Sequence, residues 1–126
     1  MHKSRLGGLI IDCETDDLTQ AEQFWTLALG YRTRASEDPA DDGYVLLDTA
    51  ADEPHIELQK VSHPSRVHLD IETDDVDAEV ARLESLGAVR VEQVRSWWIM
   101  QAPTGHRFCV IPAEGDDFDA RANRWE

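Results

Sequence analysis

IIDCETDDL, from Ile10 to Leu18, is echoed by HLDIETDDV, from His68 to Val76, and this pair of stretches decides the fold. Five positions are identical 58 residues apart: Asp12/Asp70, Glu14/Glu72, Thr15/Thr73, Asp16/Asp74 and Asp17/Asp75. An Asp-rich chain yields some identities by composition alone, but the same grammar follows both copies. After each Thr-Asp-Asp, apolar residues recur at three- and four-residue intervals, the period of an amphipathic helix. They are Leu18, Ala21, Phe24, Trp25 and Ala28 in the first copy, and Val76, Val80, Leu83 and Leu86 in the second. Gly30 and Gly87 then stand where a helix ends in a left-handed residue. The aspartate pairs that open the helices read as caps, accepting from free N–H groups and complementing the macrodipole.

Outward from the repeat, three short strand-like runs follow each helix. In the first half they are Tyr31 to Ala35, Tyr44 to Asp48 and His55 to Lys60, with an acidic loop from Glu37 to Gly43. In the second they are Val89 to Val94, Trp97 to Ala102 and Arg107 to Ile111, with a Pro103-Thr104-Gly105 turn. The chain reads βαβββ twice, over about residues 6–61 and 66–112, joined near Ser62 to Ser65 and followed by an acidic tail, 113–126. The expected class is α+β: two βαβββ repeats forming a curved mixed sheet around a central concave cavity, with helices on the outer face.

Strand side chains alternate between faces, so parity assigns them. Ile56, Leu58, Leu69, Ile71, Phe108 and Val110 mark the helix-covered face. Their neighbours then face the cavity: His55, Glu57 and Gln59; His68, Asp70 and Glu72; Arg107, Cys109 and Ile111; and, by the repeat, Ile10, Asp12 and Glu14. The repeat makes Ile10 the counterpart of His68, and Glu57 that of Cys109. Glu57, His68 and Cys109 are metal-ligating residue types, whereas Ile10 is not. Asp12 and Asp70 lie one pleat further on, placed to bond a ligand or to orient His68. Of the adjacent Trp97 and Trp98, one faces the cavity as a stacking surface and the other is core.

The chain has 126 residues, with 12 Lys plus Arg against 26 Asp plus Glu, a net charge of −14. That is the size of a single domain, and its negative field opposes nucleic acids and anionic membranes while attracting cationic or metal-bound partners. Cys13 and Cys109 fall on opposite faces, which argues against a disulfide. The absence of a leader-like segment or a membrane-length apolar run sets cytoplasmic residence as the expectation. Phe24 and Trp25 read as core, His55, His63 and His106 as solvent groups, and Phe118 and Trp125 suggest that the tail docks. No Walker, Rossmann, zinc-finger or serine-hydrolase pattern occurs.

Three motifs resemble the vicinal oxygen chelate superfamily of glyoxalase I, bleomycin-resistance proteins and extradiol dioxygenases, with a closer likeness to its glyoxalase-like subgroup. They are FWTLALGY (Phe24 to Tyr31), VHLDIETDDVDAEVARLESLGA (Val67 to Ala88) and APTGHRFCVI (Ala102 to Ile111). The resemblance implies a divalent metal held from the first, fourth, fifth and eighth strands. Carried over, the fourth-strand Glu is Glu57 and the fifth-strand His is His68, while Ile10 and Cys109 fall at the other two positions. The expected metal set is thus only Glu57 and His68, and an intact metal site is not expected. Dioxygenase and fosfomycin-modifying activities, which need the missing ligands, are disfavoured.

Two functions follow from the resemblance. One is a lyase- or isomerase-type enzyme on a small molecule, with His68 and Glu57 catalytic and Asp12, Asp70, Trp97, Trp98, Arg107 and Cys109 binding the ligand. The alternative is a non-catalytic protein like the bleomycin-resistance proteins, holding a cationic ligand in an acidic groove. Relatives commonly form homodimers, so a dimer is expected.

Overall fold

The computed structural model describes residues 1–34, 43–50, 52–113 and 117–126. In chain order its elements are β1 (His2–Glu14), α1 (Thr19–Leu29), β2 (Thr33–Arg34), β3 (Tyr44–Leu47), β4 (His55–Val61), β5 (Arg66–Thr73), α2 (Val76–Ser85), β6 (Val89–Val94), β7 (Trp97–Gln101), β8 (Arg107–Pro112), α3 (Phe118–Arg121) and β9 (Asn123–Trp125). The class is α+β, and βαβββ occurs twice in the expected places. Ala35, most of the Glu37 to Gly43 loop and the acidic positions Glu114 and Asp116 lie outside the described residues. No described helix is long and apolar enough to cross a membrane. The chain forms two compact units, Gly8–His68 and Met1–Gly7 together with Leu69–Glu126.

In the Gly8–His68 unit the strand order is β2-β3-β4-β1. β4 runs parallel to β1, pairing Ile10 with Glu57 and Asp12 with Gln59. It runs antiparallel to β3, pairing Leu46 with Glu57 and Tyr44 with Gln59. Directly opposed residues share a face. Tyr44, Gln59 and Asp12 therefore form one row across three strands, and Leu46, Glu57 and Ile10 the next. Leu58, fully buried, belongs to the opposite face by parity.

Helix α1 departs from expectation in two ways. Its N-cap is Leu18, with no side-chain cap; Asp17, one residue earlier, accepts from the Thr19 amide at 2.9 Å and its hydroxyl at 2.7 Å. Gly30 closes the helix at φ 77°. Phe24 is not core: it is 59% exposed and Leu27 77% exposed. The helix carries apolar residues on two sides, and only the side of Leu18, Ala21 and Trp25 is half-buried. Phe24 instead meets Trp25 edge to face, with ring centroids 5.0 Å apart.

In the other unit β5, β8, β7 and β6 follow one another. β8 is parallel to β5, with Asp70 opposite Cys109, and antiparallel to β7, with Ile99 opposite Cys109. Val80 and Leu83 of α2 pack with Ala88, Met100, Phe108 and Val110, and Ile71, Val76 and Trp98 close around them. Here the capping expectation holds at Asp75, whose side chain accepts from the Ala78 amide at 3.0 Å. Asp74 accepts instead from the Lys3 amide. Leu69, assigned by parity to the covered face, is 43% exposed. The tail docks on the chain's own beginning: β9 pairs with β1, setting His2 opposite Trp125 and Ser4 opposite Asn123.

Candidate functional site

Residues assigned by parity to the cavity occur in both units. In the Gly8–His68 unit they centre on Asp12, which is 2% exposed although it is a carboxylate on a sheet face. Its Oδ2 meets His68 Nδ1 at 2.8 Å, and the Arg66 guanidinium Nε lies 3.8 Å from the same oxygen. Asp12 Oδ1 is buried with no hydrogen-bond partner. Beside Asp12 in register, Gln59 donates through Nε2 to the Tyr44 hydroxyl at 2.9 Å. Glu57, one pleat away on β4, stands opposite Ile10.

This arrangement determines how His68 can act. A carboxylate on Nδ1 favours the tautomer with its proton there and the lone pair on Nε2. Cys13, next to Asp12, donates to the Ile11 carbonyl at 3.4 Å. Burial first, and the Asp12 charge second, push its thiol up and away from the nucleophilic thiolate.

In the second unit Asp70 and Cys109 sit side by side on β5 and β8, both half-buried. Arg107 is engaged by Gln101, its cross-strand partner, through a 2.9 Å bond from Nε. The tryptophan pair resolves: Trp98 pairs with Val110 and packs on the core, with Arg90 5.0 Å above its ring. Trp98 is therefore not a ligand-facing residue. Trp97 takes the other face, with Arg95 5.9 Å from its ring centre. Both cysteines are unpaired thiols.

The metal set implied by the resemblance does not fit these residues. A catalytic ion takes three or more protein donors. In the Gly8–His68 unit that set is reduced to Glu57 and His68, because Ile10, buried and directly opposite Glu57, offers no donor atom. At the last-strand position a thiol, Cys109, replaces the carboxylate that such an ion would use as its proton-transferring partner.

Sequence reasoning missed Tyr44 and Arg66 around Asp12. Gln59 was recognised as inward, but its link to Tyr44 depends on the β3–β4 register, which no motif encodes. It also missed a polar cluster of the second unit. Glu79 on α2 is fully buried, accepting from His2 Nε2 at 2.8 Å and from Arg82 at 2.7 and 2.9 Å. Burial pushes the Glu79 carboxyl up, but donors from Arg82, Ser4 and His2 outweigh it and hold the group below the usual range. Arg82 Cζ lies over Trp125, 3.8 Å from the ring centre, and Trp125 Nε1 donates to Ser4 Oγ at 2.8 Å. Glu72, assigned by parity to the cavity face, is buried and bound by Arg5, which also reaches Asp117. Both clusters tie the two ends of the chain together and are structural.

A family model described as a glyoxalase-like domain matches residues 8–111. Among solved structures, the hypothetical protein BH1468 from Bacillus halodurans C-125 superposes with a TM-score of 0.64 at 12% identity, covering 90% of this chain and 96% of that one. Methylmalonyl-CoA epimerase from Mycobacterium tuberculosis gives 0.62 at 19% identity, covering 86% and 88%. A Streptomyces coelicolor methylmalonyl-CoA epimerase in complex with 2-nitronate-propionyl-CoA gives 0.58 at 17%, covering 87% and 98%. At these identities the likeness is one of fold. No curated protein matches the chain.

Proposed function

The chain belongs to the glyoxalase-like domain family of the vicinal oxygen chelate superfamily, and from that premise we propose that it is a small-molecule enzyme of isomerase type that moves a proton on carbon. The observation that carries the reading is the 2.8 Å contact between His68 Nδ1 and the buried Asp12 carboxylate. A carboxylate withdrawn from water fixes the tautomer and direction of the imidazole it holds, the restraint a general base needs.

In this reading His68 Nε2 takes a proton from a carbon next to a carbonyl, and Asp12 balances the imidazolium charge. Glu57, across β1 on the same face, is the second titratable group and returns a proton to the carbon. The protein ends each cycle with one proton gained and one lost. A carbanion is thus never left without a donor.

The test is wash-in of solvent deuterium into a panel of carbonyl carbon acids, read by mass spectrometry. Wild type is expected to catalyse exchange into at least one of them, and His68→Ala to slow it by about 100-fold or more, the scale of a lost general base. Exchange that persists in His68→Ala, or is absent across the panel, overturns the proposal.

A further inference from the structure

Asp12 uses only half of its carboxylate within the protein. Oδ2 serves His68, while Oδ1 is buried and has no partner. Resting on the acid–base reading above, we propose that Oδ1 is the receptor for the ammonium group of a small primary amine, so that the molecules this site takes are primary amines.

Buried carboxylate oxygens in native proteins are almost always satisfied, because an unmet acceptor loses its water and gains nothing in return. The donors at hand are placed elsewhere. Gln59 stands directly opposite Asp12, yet its amide donates to Tyr44 at 2.9 Å. His68 approaches Oδ2, and Arg66 also lies on the Oδ2 side, its Nε at 3.8 Å and so outside hydrogen-bond range. The fold thus surrounds one carboxylate with three donor-bearing side chains and directs none of them at Oδ1.

Charge selects the kind of donor. The unmet oxygen belongs to a buried carboxylate, in a chain of net charge −14. A ligand cation restores the balance, whereas a carboxylate or phosphate would meet an acceptor of its own sign. A quaternary ammonium carries the charge but no N–H, and so cannot satisfy Oδ1. A primary ammonium supplies both, with donors to spare for a neighbouring acceptor. Arg66 is half exposed and is the neighbour whose side chain can swing aside to admit it.

The experiment compares two cations of equal charge, propylammonium and tetramethylammonium, titrated at constant ionic strength into the full-length ¹⁵N-labelled chain. Backbone and imidazole resonances are followed by NMR. Propylammonium is expected to shift Asp12, Gln59 and His68 saturably, with half-saturation on the order of millimolar, while tetramethylammonium leaves them in place. Asp12→Asn is expected to weaken the propylammonium response by about tenfold or more. Equal shifts with both cations, no saturation by about 100 mM propylammonium, or an unchanged response in folded Asp12→Asn each overturn the proposal. Should Asp12→Asn not fold, the two cations on wild type decide alone. Binding is read without turnover, so failure here is distinguishable from failure of the carbon-proton reading.

Discussion

Replacing Arg82 by methionine isolates what the clasp between chain ends contributes to stability. Arg82 makes two bonds to the fully buried Glu79 carboxylate, at 2.7 and 2.9 Å, and stacks on Trp125 at 3.8 Å. A hydrogen bond to a charged group is worth about 1.5–3 kcal/mol. Arg82 is about one-quarter exposed, so solvent screening reduces each bond to about 1 kcal/mol. Stacking of the cation adds about 0.5–1 kcal/mol. The expected loss for Arg82→Met is therefore about 3 kcal/mol, the lower end of what breaking a buried pair costs. For a chain of this length that lowers Tm by about 10 °C. The assay is urea and thermal unfolding by circular dichroism at neutral pH. The decisive comparison adds Glu79→Leu: with the carboxylate gone as well, no buried charge is left short of partners, so the double variant should be about 1–2 kcal/mol more stable than Arg82→Met alone. A loss below about 1 kcal/mol for Arg82→Met, or a double variant no more stable than that single one, refutes the reasoning.

The pH dependence has a definite sign. Glu79 and Asp117 are held below their usual carboxyl ranges in the folded chain, Glu79 by donors that outweigh its burial and Asp117 by Arg5. Their contribution is thus fully present above the unfolded values and lost as pH falls through the depressed ones, and urea midpoints should drop steeply from about pH 5 to about pH 3. Asp75→Ala should cost about 1 kcal/mol in denaturant unfolding through loss of the α2 cap, and Asp17→Ala about half as much or less, since α1 has no side-chain cap. Gly7→Ala should cost about 1–3 kcal/mol, because the added Cβ comes within 2.9 Å of Glu72 Cγ, whose carboxylate Arg5 holds in place. Asp12→Asn should speed alkylation of Cys13 about two- to fivefold at neutral pH by removing one of the two causes that raise its thiol; an unchanged rate leaves burial as the sole cause.

The architecture was legible because the repeat registers the chain against itself. Two Thr-Asp-Asp steps mark two helix starts, two glycines mark the ends, and period-two runs supply the strands between turns. The details that failed share one cause: propensity is local and burial is not. Asp16-Asp17 and Asp74-Asp75 are identical dipeptides, yet only Asp75 caps, because Asp17 turns to Thr19 and α1 begins at Thr19 with Leu18 as its N-cap. Phe24 fits the apolar period of α1, yet a helix apolar on two sides can bury only one.

The candidate site was half legible for a reason that bears on its chemistry. Parity along a strand finds faces, and the register puts Ile10 beside Glu57 and Asp12 beside Gln59 as parity has them. It does not find partners, which depend on register between strands and on rotamers. Of Asp12's neighbours, His68 follows from the repeat, but the donation from Gln59 to Tyr44 does not, and that bond is what keeps the nearest amide off Asp12 Oδ1. Glu79 teaches the opposite lesson. Val76, Glu79, Val80 and Leu83 lie at i, i+3, i+4 and i+7, so the apolar stripe of α2 contains a carboxylate, and that anomaly was visible before any coordinate. A charged residue inside a buried stripe must find partners or unfold the helix from its sheet. Glu79 found His2, Ser4 and Arg82, and every one of its bonds is accounted for. Asp12, equally buried, keeps one oxygen unmet. Among the buried carboxylates of the described residues, Glu72 and Glu79 are bound by side-chain donors of the chain's own ends while Asp12 keeps one oxygen unmet, the contrast on which the proposed amine site rests.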